Sequence, residues 1–277
     1  MSRNAMFRNV VVPSITLRNF APHRLMRAAF VVAALLALAG CLPTRDAGEP
    51  IASQLIQAQQ PGQRLVVVLP GRADDLDALR RSGMAEAIQG AWPDADVLLA
   101  EVTLGDYMRG DAPERLRAEV IVPARERGRY REVWLAGASM GGMGTLMYDR
   151  LYPGEMDGLV LLAPYLGNAG LVKEIADAGG VAQWEAGPPQ AADADGWQRE
   201  LWRHIQGAAR DPDAAGRIWL AYGDRDRLRK AFPQLIPALR QDQVLVREGR
   251  HTWTVWSPAM GEVLRRVDAK RGGASAR

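Results

Sequence analysis

Ser139 stands in the string Gly137-Ala138-Ser139-Met140-Gly141, directly after a short apolar run and at the head of a stretch with helical spacing. A serine hydroxyl is a weak nucleophile by itself. It attacks an acyl carbon when a base takes its proton and donors receive the charge that develops on the carbonyl oxygen. A sharp turn from strand to helix supplies part of that setting. It holds the serine in a strained backbone conformation, and side chains two residues to either side would collide, so glycine suits both places. The helix that follows turns its free N–H groups and positive dipole end toward the serine, where an oxyanion would form. Gly142 and Gly144 extend the small surface and let that helix sit close to its neighbours.

A base and an acid are needed to complete such a site. The chain has three histidines: His23, His204 and His251. His251 lies in Glu248-Gly249-Arg250-His251-Thr252, after an apolar run at 244–246 and before the last helical stretch. Two carboxylates, Asp224 and Asp226, follow the apolar run 218–222 in Gly223-Asp224-Arg225-Asp226-Arg227. Asp224 is also suited to capping the helix expected nearby. No two histidines stand at metal-ligand spacing, the chain has a single cysteine, and no dinucleotide glycine fingerprint occurs. The expected site therefore carries neither metal nor cofactor.

The elements that must position these residues are legible as short apolar runs at 65–69, 97–102, 133–136, 159–163, 218–222 and 244–246. Continuous apolar runs suit strands buried on both faces, as in a parallel sheet covered by helices. Helical spacing is expected at 75–89, 113–127, 139–151, 227–239 and 255–271. Six strands with crossover helices predict a three-layer α/β/α domain over 63–272 with a mostly parallel sheet. The interval 166–214 shows helical patches and no strand pattern, which predicts a small helical cap over the C-terminal edge of the sheet, where ligands of such sheets bind. Residues 273–277 are expected to form a disordered tail.

Residues 1–40 have the parts of an export signal: five arginines without an acid, then an apolar run at 28–39 too short to span a bilayer comfortably. Leu38-Ala39-Gly40-Cys41 is similar to a bacterial lipobox, which implies lipidation at the lone Cys41, a tether over 41–62, and a protein exported and anchored in the cell envelope, facing the periplasm. The net charge of +3 belongs to this leader. Without residues 1–40, 30 basic residues face 32 acidic ones, a net of −2, so a nucleic-acid partner has no electrostatic footprint.

From about residue 64 to 271 the chain resembles the α/β-hydrolase superfamily, and Gly137-Ala138-Ser139-Met140-Gly141-Gly142 is similar to its nucleophile elbow. The family's order of serine, acid and histidine implies Ser139 as nucleophile, His251 as general base and Asp226 as the acid, with Asp224 as its competitor. The same resemblance implies oxyanion donors at the N–H of Met140 and of Arg72. The latter lies in Leu69-Pro70-Gly71-Arg72-Ala73, which is similar to the family's His-Gly-x loop with Pro70 in place of the histidine. The Arg72 side chain suits either an anionic substrate group or solvent. Trp184, Trp197, Trp202, Trp253 and Trp256 are candidates for an apolar acyl pocket, and the helical spacing of Trp202 and Ile205 equally suits packing a cap onto its body. The implied activity is carboxylic ester hydrolysis on a small-molecule or lipid ester. A thioesterase, a peptidase or a lipid acyl-hydrolase would use the same residues. A catalytically silent binding lipoprotein is the reading from another class, and the filled serine, histidine and aspartate positions count against it.

Overall fold

The computed structural model describes residues 49–128, 130–191 and 196–275; the expected signal segment and Cys41 lie outside them. Seven strands make one sheet: β1 (Ser53–Ile56), β2 (Arg64–Leu69), β3 (Ala95–Ala100), β4 (Glu132–Ala138), β5 (Gly158–Leu162), β6 (Ile218–Gly223) and β7 (Val244–Arg247). Their order is β1-β3-β2-β4-β5-β6-β7. All neighbours run parallel except β1, which lies antiparallel to β3. Val66, Val67 and Val68 of β2 are fully buried, as are Leu159, Val160 and Leu161 of β5. Side chains alternate across a strand, so burial of consecutive residues means both faces are covered.

Helices cover the two faces: α1 (Leu76–Arg81), α2 (Met84–Ala91), α3 (Leu104–Arg109), α4 (Ala112–Arg115), α5 (Val122–Gly128), α6 (Met140–Leu151), α7 (Ala169–Asp177), α8 (Trp197–Arg210), α9 (Pro212–Gly216), α10 (Phe232–Leu235) and α11 (Trp253–Ser275). A π-helical stretch, Leu116–Ile121, joins α4 to α5. The expected helix over 75–89 is two helices, because Gly83 takes a left-handed conformation (φ 74°) that ends α1 and opens α2.

Three further expectations are corrected. The sheet has seven strands rather than six, and the additional one, β1, comes from the span read as a tether. Ser53 to Ile56 pair with Ala100 to Val97. The Ile51 N–H also donates to Glu119 Oε2 (2.7 Å) and the Ala58 N–H to Asp96 Oδ1 (2.7 Å). A four-residue edge strand with only one side of its ladder filled carries too little apolar signal to stand out. The helix expected over 227–239 is instead a chain of short turns, Arg229–Ala231, Phe232–Leu235 and Ile236–Ala238. Pro233 and Pro237 each remove an N–H that a continuous helix would need. At the other end, α11 runs on to Ser275, into the span read as a disordered tail.

Between β5 and β6 the described residues contain helices and no strand. The inner face of α8 is the buried set Leu201, Trp202 and Ile205, and His204 Nε2 of the same helix meets the Asp149 carboxylate of α6 (3.1 Å), so this segment is packed onto the body. The chain leaves β2 toward β3 on one side and leaves β4 toward β5 on the other. Such a reversal opens a crevice at the C-terminal ends of the strands. The loop after β2 and the turn after β4, which carries Ser139, face each other there.

Candidate active site

Ser139 adopts φ 55°, ψ −111°, a conformation that costs a non-glycine residue of order 1–3 kcal/mol and persists when its surroundings over-determine it. They do so here. The Ser139 N–H donates to the Leu162 carbonyl (2.8 Å), and its carbonyl accepts from the Tyr165 N–H (2.8 Å), so the end of β5 clamps the turn from both sides. A Cβ on Gly137 would collide with the Gly141 carbonyl. One on Gly141 would stand 2.6 Å from the Pro70 carbonyl oxygen and 2.7 Å from that of Leu69. Glycine at these two positions lets the turn close and brings it against the loop after β2.

The structure brings Ser139, His251 and Asp226 together. His251 Nε2 is 2.9 Å from Ser139 Oγ, and its Nδ1 is 2.8 and 2.9 Å from the two carboxylate oxygens of Asp226. With the Nδ1 proton directed at the carboxylate, Nε2 is left as acceptor for the serine O–H. Asp226 is fully buried and also accepts from the Leu228 N–H (2.8 Å), which holds its side chain in place. The imidazole packs edge-on against Trp256, with ring centroids 4.6 Å apart.

Asp224 has a different place. Its Oδ1 accepts from the Gly249 N–H (2.8 Å), while its own N–H donates to the Arg247 carbonyl and the Arg225 N–H donates to that of Gly249. These bonds lace the loop after β6 to the loop after β7, two residues before His251. Asp224 therefore neither touches the imidazole nor caps a helix.

Met140 is the first residue of α6, so its N–H lacks an intrahelical acceptor and points from the helix terminus beside Ser139. On the other side of the crevice, a Cβ built on Gly71 would stand 3.8 Å from Ser139 Cβ, which puts the Leu69-to-Ala73 loop beside Ser139. The Arg72 side chain is exposed. Sequence reasoning passed over Asp74. Its Oδ2 accepts from the Gly71 N–H (3.1 Å) and from the Trp253 indole N–H (3.0 Å). The Gly71-x-x-Asp74 spacing of a side-chain-closed turn was the available signal; its bond to Trp253, 179 residues away, was not readable.

The tryptophans divide. Trp202 and Trp184 are buried and bonded within the cap segment, the latter to Glu174. Trp197 lies beside Tyr165 at 6.0 Å between ring centroids, and Trp253 and Trp256 stack edge-on near His251. Among the described residues, no cluster of three His, Cys, Asp or Glu side chains is arranged to hold a metal ion.

Comparison with known proteins agrees with this architecture. A family model named Esterase, described as "Putative esterase", matches residues 116–267, a span that holds Ser139, Asp226 and His251. No curated protein matches the sequence significantly. Among solved structures, the chain is similar to Est1E from Butyrivibrio proteoclasticus (TM-score 0.55, 14% identity, covering 84% of this chain and 98% of that one). It is likewise similar to the S-formylglutathione hydrolase FrmB of Staphylococcus aureus (TM-score 0.54, 12% identity, 81% and 98%). A third likeness is to FphF, a fluorophosphonate-binding serine hydrolase of Staphylococcus aureus (TM-score 0.54, 14% identity, 78% and 98%). At such identities the likeness is one of fold.

Proposed function

The chain belongs to the Esterase family, and from that premise we propose that it hydrolyses carboxylic esters through an acyl-enzyme on Ser139. The observation that carries this reading is the continuous hydrogen-bonded line from Ser139 Oγ through His251 to Asp226. His251 Nε2 takes the serine proton as Oγ attacks the acyl carbon, and Asp226 stabilises the imidazolium that forms. The N–H groups of Met140 and Arg72 receive the oxyanion. As the tetrahedral intermediate collapses, His251 returns its proton to the leaving alcohol. Water then attacks the acyl-enzyme with the same imidazole as base, releasing the acid and restoring Ser139.

The lipobox-like string at Cys41 supports an envelope-anchored enzyme that acts on small-molecule or lipid esters. The test uses purified protein lacking residues 1–41, a fluorophosphonate probe, and p-nitrophenyl esters of graded acyl length. Labelling and turnover are expected in the wild type and absent in Ser139→Ala. A folded wild-type protein that neither labels nor turns over any ester overturns the proposal.

A further inference from the structure

The loop after β2 and the histidine loop lie far apart in the chain, yet the proton transfer from Ser139 Oγ and the oxyanion contact must serve attack on one acyl carbon. Errors of about 1 Å in such an arrangement cost about 100-fold in rate. Both segments lie outside regular structure, so something must hold them in register. Asp74 Oδ2 accepts the Gly71 N–H at 3.1 Å and the Trp253 indole N–H at 3.0 Å, and the Asp74 N–H closes the turn onto the Gly71 carbonyl at 3.3 Å. Trp253 meets Trp256 edge-on at 5.2 Å (84°), and Trp256 meets the His251 ring edge-on at 4.6 Å (89°). Trp256 is buried, so this contact cannot swing away into solvent. From Gly71, beside Ser139, to the imidazole there is thus a continuous line of contacts through one carboxylate and two indoles.

We propose that Asp74, with Trp253, is a positioning residue that ties the oxyanion-donating loop to the catalytic histidine. With the Gly71 N–H engaged by Asp74, that peptide has no donor to offer a substrate, and the next one, carrying the Arg72 N–H, serves instead. Edge-on aromatic packing transmits the restraint to His251 without a direct bond to its ring. The inference rests on the esterase reading of the same site, and deepens it by naming what couples its two halves.

The test compares wild type, Asp74→Ala, Asp74→Asn, Trp253→Phe and the double variant Asp74→Ala/Trp253→Phe for turnover of a short p-nitrophenyl ester, with thermal unfolding of each. Asn keeps an oxygen acceptor, and Phe keeps a ring while removing the N–H, so at least these two variants should stay folded. Asp74→Ala and Trp253→Phe should each lower kcat by about 10- to 100-fold with KM within about threefold. Asp74→Asn should recover most of that loss, and the double variant should be little worse than either single one, because both break one link. A wild-type kcat in either single variant, a loss confined to KM, or additive losses in the double variant would overturn the inference. A wild type without ester turnover would sink the esterase reading instead. The brace is then read from the Trp253 indole N–H resonance, which should shift in Asp74→Ala, and an unmoved resonance refutes it whatever the activity.

Discussion

Two aspartates two residues apart at the end of β6 have separate tasks, and substitution should separate them. Asp226 faces the imidazole with both oxygens, whereas Asp224 binds the backbone of the loop that carries it. Asp226→Asn leaves the shape but favours the wrong histidine tautomer, so kcat should fall about 1,000- to 10,000-fold. Asp224→Asn keeps an acceptor for the Gly249 N–H and should cost less than about tenfold, because it loosens a loop without touching the reacting groups. Equal losses in the two variants, measured on the same ester, would contradict this division. At this scale the sequence was informative where a residue type is scarce. His251 and Ser139 could be singled out because few histidines and one G-x-S-x-G string were present. Asp74 could not, because one aspartate among many acquires meaning only from a partner 179 residues away.

Among the elements, α6 does two jobs at its two ends. Its first turn presents Met140 beside Ser139, and near its last turn Asp149 anchors the cap segment. The Asp149 carboxylate is buried and accepts from His204 Nε2 of α8 (3.1 Å) and from Arg217 at the start of β6 (3.1 Å). Burial by itself pushes this carboxyl upward, but the hydrogen bonds from His204 and Arg217 and the guanidinium charge outweigh it and hold it below the ordinary carboxylate range. The unfolded chain then binds a proton at a higher pH than the folded one does. The stabilisation is therefore complete above the unfolded carboxylate pKa and is lost as pH falls through the lower folded value. Asp149→Asn should lower the melting temperature at neutral pH, with the gap to wild type narrowing as pH falls below the ordinary aspartate value of about 3.9. A gap that stays constant or widens in acid would contradict the assignment. The apolar spacing of α8 points to its helix, whereas the segment over 229–238 carries the same kind of periodicity yet is broken at Pro233 and Pro237. There the prolines outweighed the periodicity.

For the whole molecule, residues 1–40 and the remainder of the chain carry opposite charge balance, five arginines without an acid against 30 basic and 32 acidic residues. No described helix is long and apolar enough to cross a membrane. We propose that attachment rests on Cys41, so Cys41→Ser, expressed as the full chain in a bacterium that processes lipoproteins, should move the protein from the membrane fraction to the soluble one. Incorporation of labelled fatty acid should stop with it, and an unchanged distribution would count against the anchor. The sequence by itself determined the α/β layering and the glycine-flanked serine turn, and placed a histidine and two aspartates just past strand ends. These are properties of local patterns: apolar runs, glycine around a strained turn, and polar residues just past strand ends. Their order as serine, acid and histidine came from the family resemblance. Only the tertiary structure decided between Asp226 and Asp224, moved Ser53–Ile56 from tether to sheet edge, and joined Asp74 to Trp253. Each of those outcomes is a contact between segments far apart in the chain. Such contacts exist only once hydrophobic burial has closed the sheet and brought its strand ends into one crevice.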